Sequence, residues 1–162
     1  MISFKNMSKM SFVLLLMVFS SLKVSAQSSD VSLNQLLQSY YSIKEALVAG
    51  KTDAAALAAT SFTRNLNGVS YQLISEGNVA ALLKDASSIA DKKDITAQRK
   101  YFANLSSNMI LVAKALKLTG GPVYIQYCPM KKAYWLSNEN EIRNPYYGSS
   151  MLSCGSVTET LN

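Results

Sequence analysis

Residues 32–50 read SLNQLLQSYYSIKEALVAG, and this stretch decides the fold class. Leu33, Leu36, Leu37, Tyr40, Ile43 and Leu47 recur at steps of three and four, which puts them on one face of an α-helix. Ser32 with Gln35 three residues on has the form of a capping box, so the spacing predicts a helix from about Leu33 to Ala49. Gly50 can take the left-handed backbone that ends it.

Working downstream, Thr52 is expected to cap a second helix, with Asp53 at the positive end of its dipole. Ala58, Phe62, Leu66 and Val69 continue an apolar stripe, and the Ala-rich run 54–59 suits close helix approach. Gly68 and Gly77 predict a break within residues 69–78. Val79, Leu82, Leu83, Ala86 and Ile89 form a third stripe. Asp94 is expected to cap a fourth helix whose stripe is Phe102, Leu105, Met109, Val112 and Leu116, stopped by Gly120-Gly121-Pro122. The expected fold is mainly α, an antiparallel four-helix bundle over residues 30–119.

The composition changes after that. Residues 30–118 contain no Pro, whereas 120–162 hold Pro122, Pro129 and Pro145, both Cys and half of the aromatic residues that follow position 26. Val123-Tyr124-Ile125-Gln126-Tyr127 reads as a strand, and Ala133-Tyr134-Trp135-Leu136 as its partner across a turn at Cys128 to Lys132. A C-terminal loop-rich extension containing a short β-hairpin is therefore expected to pack on the bundle.

Upstream, Lys5 and Lys9 precede the apolar run Phe12 to Phe19, and Val24-Ser25-Ala26 places short residues before Gln27. That is the layout of a secretory signal peptide cleaved after Ala26, too short to span a bilayer as a mature helix. The expected location is the periplasm, with residues 27–162 as one domain and no membrane attachment after cleavage. The full chain carries a formal net charge of +6, a hint of a nucleic-acid or membrane partner. Removing 26 residues and three lysines leaves 136 residues with 13 basic and 10 acidic side chains, an ordinary surface balance. The basic residues are scattered, so nucleic-acid binding is not expected.

The residue inventory narrows the chemistry. The chain has no His, which removes His-dependent acid–base catalysis and every His-containing metal site. No nucleophile–base–orienter set is visible, so an enzyme is not expected. Asp91 and Asp94 read as helix-end residues, and Glu139 and Glu141 as an exposed turn. What stands out is sulfur. Both cysteines, and two of the three methionines beyond residue 26, lie in Cys128-Pro129-Met130 and Met151-Leu152-Ser153-Cys154. Cys128, Met130, Met151 and Cys154 together make a soft donor set that favours Cu(I) over hard cations. Two cysteines in an exported protein also pair by default. A Cys128–Cys154 disulfide would close a loop of about 26 residues and contribute roughly 3 kcal/mol in the chain-entropy model. Both readings stand at this point.

The runs Tyr127-Cys128-Pro129-Met130, Tyr134-Trp135-Leu136-Ser137, Glu141-Ile142-Arg143-Asn144-Pro145-Tyr146-Tyr147-Gly148 and Met151-Leu152-Ser153-Cys154-Gly155 resemble an exported domain of unknown function. That domain occurs alone in Gram-negative periplasmic proteins and appended to periplasmic adaptor subunits of heavy-metal efflux pumps of the resistance-nodulation-division type. The helical half is similar too, in Ala46-Leu47-Val48 and in Gln98-Arg99-Lys100-Tyr101-Phe102 with Leu105-Ser106. The resemblance implies soft-metal handling, with Cys128, Met130, Met151 and Cys154 as the matching sulfur residues. It implies efflux components or other periplasmic proteins as partners. The segment Met130 to Ala133 is short and Lys-rich where many relatives carry a longer, Gly-containing insert. With no adaptor module ahead of the bundle, a standalone module is expected rather than the adaptor itself. The alternative is a structural or interaction domain stapled by Cys128–Cys154, with Trp135, Tyr146 and Tyr147 available to a protein partner.

Overall fold

A computed structural model describes residues 23–70, 72–116 and 121–162, with only the backbone of 23–30. The targeting segment expected at residues 1–26 lies outside the described residues as far as residue 22. By internal contacts the chain forms two units, residues 1–31 and 32–162. Of the first, the described part is the start of the helix Lys23–Val48; the packing and the site described below belong to the second.

Among the described residues four helices follow one another: α1 Lys23–Val48, α2 Thr52–Asn67, α3 Glu76–Asp91 and α4 Ile95–Leu116. Each buries most of the stripe that its sequence spacing announces, with Leu33, Ala58, Leu83 and Leu116 partly buried at its margin. Leu36, Leu37, Tyr40, Ile43 and Leu47 of α1 meet Phe62 and Leu66 of α2, Leu82 and Ile89 of α3, and Phe102, Leu105 and Met109 of α4 in one core. Fully burying a large apolar side chain such as Phe62 or Phe102 contributes roughly 1.5–3 kcal/mol. The fold is therefore mainly α, a helical bundle carrying a small sheet. Among the described residues, no helix is long and apolar enough to cross a membrane.

Some helix ends lie where the sequence puts them. Gly50 has φ of 69° and ends the first connection. The Asp94 carboxylate accepts from the Ala97 N–H at 2.7 Å, capping α4. The break after Val69 is present, and α3 starts at Glu76 with Ser75 Oγ accepting from Asn78 N–H at 3.4 Å. α4 ends at Leu116, and the stop expected at Gly120 falls among residues that are not described.

Two expected starts are corrected. The first helix does not begin beyond a Ser32 cap: α1 runs from Lys23, so the Ser32/Gln35 pair lies inside it. Residues 23–31 hold no Pro or Gly, so nothing interrupts the i→i−4 ladder ahead of Ser32. Thr52 is not a cap either. Ala55 N–H already bonds the Lys51 carbonyl at 3.0 Å, which makes extended Lys51 the N-cap and Thr52 the first helical residue.

The tail forms a three-stranded antiparallel sheet in the order β2-β1-β3, from β1 Val123–Cys128, β2 Ala133–Ser137 and β3 Ser156–Leu161. The hairpin is as expected, with Cys128 opposite Ala133 and Gln126 opposite Trp135. The third strand is an addition to the sequence reading. β1 is central and buried on both sides. Val123 and Ile125 join the bundle core, while the buried Gln126 side chain donates to the carbonyls of Glu139, Asn140 and Glu141 in the covering loop.

Buried polar contacts fix β2 on the bundle. Leu136 N–H donates to Tyr40 Oη at 3.1 Å, and Tyr40 Oη lies 2.7 Å from Ser106 Oγ, so one phenol links α1, α4 and β2. Lys44, only 1% exposed, donates to Ser137 Oγ at 3.1 Å and pairs with Glu45 at 2.9 Å. Arg143 of the loop shares that carboxylate at 2.6 Å. Gly148, at φ 56°, lets the chain pass where an added Cβ would lie 2.6 Å from Arg99 Nη2 and 2.8 Å from the Val48 carbonyl oxygen. Arg99 itself donates to the Leu47 carbonyl at 2.9 Å, near the C-terminal end of α1.

Candidate metal centre

Cys128 is the last residue of β1, and Cys154 stands two residues ahead of β3. The last registered pair of these strands is Tyr127 with Ser156, so antiparallel pairing brings the two cysteines together at the end of the sheet. Both are free, with their sulfurs 3.5 Å apart. Cys128 is fully buried and Cys154 is half-buried, so the pair presents one inner and one outer sulfur.

The Cys128-to-Ala133 turn supplies donors to the inner sulfur. Burial alone pushes the Cys128 thiol up. The Lys131 N–H, the Cys154 thiol, the Asn144 side chain and the Met130 N–H all favour its thiolate, and the net position is below the ordinary thiol value. Cys154 moves the other way. Its hydrogen bond to Cys128 holds its proton on, with burial and the charge of Cys128 adding to this and the Met130 N–H opposing. Cys128 is thus the sulfur that gives up its proton more readily, and either sulfur can be the donor in the 3.5 Å contact. The Met130 N–H acts on both sulfurs. The turn is tight enough to hold Lys132 at φ 54°, a left-handed backbone that non-glycine residues seldom adopt.

The methionines are placed differently. Met130 is 64% exposed at the tip of the hairpin turn, and Met151, 37% exposed, ends the 3-10 turn Gly148–Met151. Neither side chain is in the core. The structure brings Cys128 and Cys154 into contact and leaves Met130 and Met151 on the surface of the two segments that carry the cysteines. Among the described residues, no group of three or more His, Cys, Asp or Glu could hold a metal ion.

Asn144-Pro145 is a loop signal in the sequence, and Asn144 organises the site. It is fully buried, and its amide nitrogen donates to the Cys154 carbonyl at 2.7 Å. Its Oδ1 accepts from Tyr146 N–H at 2.8 Å and Tyr147 N–H at 3.3 Å, an Asx turn that closes the loop over β1. Its backbone N–H donates to the Leu152 carbonyl at 2.8 Å. The available signal was the Asn-Pro pair, which announces a turn but not what the side chain bridges. The inner wall is aromatic: Trp135 packs edge-on against Tyr146 at 5.8 Å, and the Tyr146 hydroxyl donates to the Tyr134 carbonyl. Trp135 is fully buried, so it packs rather than standing open to a ligand.

Two grooves lie elsewhere among the described residues. One of about 400 Å³ runs between α4 and the sheet, lined by Ile110, Ile125, Tyr134 and the Lys114–Glu159 ion pair. Another, of about 670 Å³, lies beside Tyr41, Glu45, Lys51 and Arg143. Neither contains a cysteine, and among the described residues the sulfur pair is the chemically distinctive place.

No curated protein and no solved structure matches the chain. Residues 36–121, from α1 to the start of the sheet, match the family described as "Protein of unknown function (DUF3347)". The matched segment covers more than half of the sequence, and the chain belongs to that family of unknown function.

Proposed function

We propose that this protein is a non-enzymatic binding module for a soft metal ion, most suitably Cu(I), exported to the periplasm and serving heavy-metal efflux or homeostasis. The observation that supports the reading is the contact of Cys128 and Cys154 sulfurs at 3.5 Å, with backbone N–H groups facing the inner one. Two metal–thiolate bonds of about 2.3 Å span that separation only at a bent angle, and a linear arrangement needs the sulfurs about 1 Å further apart. Cys154, the half-buried partner, is the one with room to move outward. Thiolate suits Cu(I), the chain has no His to complete a mixed zinc site, and calcium and magnesium would need oxygen clusters. Met130 and Met151, exposed on the adjoining turns, can add thioether donors from the solvent side. Export rests on the signal-like residues 1–26, and the efflux setting rests on the resemblance in the tail motifs.

Competition for Cu(I) against a chromogenic chelator tests this. The reduced chain should bind one equivalent. Cys128→Ser should weaken binding by more than the roughly 10–100-fold typical of losing a supporting group, and Met151→Leu by less. Equal, weak binding in all three proteins refutes the metal reading. The alternative is an interaction domain in which Cys128–Cys154 is a permanent disulfide staple; the same sulfur contact favours it. Protein isolated from the periplasm would then carry a disulfide that resists mild reductant.

A further inference from the structure

We propose that Cys128 and Cys154 form a reversible dithiol–disulfide couple that exchanges with external disulfides, with Cys154 meeting the oxidant and Cys128 resolving. This goes beyond metal binding and stands without it. The sulfurs are already in contact, and closing from 3.5 Å to the bond length of about 2.05 Å takes a movement of about 1.5 Å. The backbone on either side is held: Cys128 in the central strand, and Cys154 through its N–H on the Met151 carbonyl at 3.1 Å and its carbonyl on Asn144 at 2.7 Å. Side-chain rotation at Cys154 is therefore the motion available, and no strand must separate.

The exposure of the two sulfurs assigns the order of events. Cys128 is fully buried beneath the turn, out of reach of an external disulfide, whereas Cys154 is half-buried at the surface. A small disulfide RS–SR is attacked by the Cys154 sulfur after that thiol gives its proton to solvent; access rather than acidity selects it, because Cys128 is buried. The S–S bond of the oxidant breaks, a Cys154–SR bond forms, and one RS⁻ leaves and takes a proton. Cys128 then attacks the Cys154 sulfur from inside. The Cys128–Cys154 bond forms as the second RS⁻ leaves and takes the other proton. The two protein thiols are oxidised by two electrons and one disulfide is reduced to two thiols. Reduced thiol in excess drives both steps backward.

Oxidised and reduced glutathione, applied without metal to the full chain, test the couple. Wild type should pass from two free thiols to none as the ratio is raised, and return when it is lowered. Cys128→Ser should accumulate a stable Cys154–glutathione adduct, and Cys154→Ser should form about tenfold less adduct. Because Cys128→Ser alters a buried position, brief alkylation of reduced wild type followed by peptide mapping gives a second reading: Cys154 should label about tenfold faster than Cys128. Persistent free thiols at every ratio, a disulfide that excess glutathione cannot reduce, or equal labelling of the two sulfurs overturns the proposal. Persistent free thiols or equal labelling would leave Cu(I) titration of the reduced chain untouched, whereas a disulfide that glutathione cannot reduce would point to the permanent staple, so failure here and failure of the metal reading are separately visible.

Discussion

Replacing Asn144 with alanine should damage the sulfur site more than any other change that leaves both cysteines in place. The wild-type amide donates to the Cys154 carbonyl at 2.7 Å and accepts from the Tyr146 and Tyr147 N–H groups at 2.8 and 3.3 Å. The side chain is fully buried, so alanine leaves a carbonyl and an N–H without their partner inside the fold. Each orphaned group costs roughly 1–3 kcal/mol, and the weaker third bond adds little. The half-buried loop lets water satisfy part of this, so the expected loss is about 3 kcal/mol. Urea unfolding of the full chain at neutral pH measures it, with the slope unchanged and the midpoint lowered. On heating, the same loss lowers Tm by about 10 °C. Asn140→Ala, on the exposed part of the same loop, is the control and should change stability by less than about 0.5 kcal/mol. A loss below about 1 kcal/mol for Asn144→Ala would show that the loop is held over β1 without the amide, and the account of how Cys154 is positioned would fail.

Gly155→Ala places a Cβ 2.8 Å from the Tyr127 carbonyl oxygen and 2.9 Å from Trp135 at a backbone φ of 148°, so it should destabilise by about 2 kcal/mol in the same unfolding assay. Burial raises the carboxyl pKa of Asp85 despite the Asn108 amide at 3.1 Å. The folded state therefore holds that proton to higher pH than the unfolded one, and stability is lost as pH rises above the ordinary carboxylate range. Asp85→Asn should be the more stable protein at pH 7, with the gap closing as acid protonates Asp85; a gap independent of pH would contradict this. The Lys114–Glu159 pair is nearly half exposed on both sides, so Glu159→Gln should cost less than about 1 kcal/mol, and less still at high salt.

The helices were legible because each carries an apolar stripe at helical spacing that one core absorbs. Leu36, Tyr40, Ile43 and Leu47 are all essentially inaccessible, as their periodicity requires. Helix starts were less legible. A Ser-Gln pair at the right spacing is compatible with a cap or with a helix interior, and what precedes Ser32 decides between them. Ser156–Leu161 carries only a weak strand signal: its residues are mostly exposed, so no buried face imposes an alternation, and only Val157, Thr158 and Thr160 favour extension. The sulfur residues could be found by counting, but their arrangement could not. Contact between Cys128 and Cys154 depends on β3 returning beside β1, and the outward placement of Met130 depends on a turn only a few residues long. Asn144 shows the limit most clearly. Its backbone role was readable from Asn-Pro, while its side-chain bridge to Cys154 joins positions that only the folded loop brings together.

X-ray absorption at the copper edge, on the untagged, reduced chain loaded with one equivalent of Cu(I), tests the proposed function most directly. The account predicts a first shell of sulfur alone, lost in the Cys128→Ser, Cys154→Ser double variant. A shell of nitrogen or oxygen donors, or an unchanged spectrum in the double variant, would contradict it.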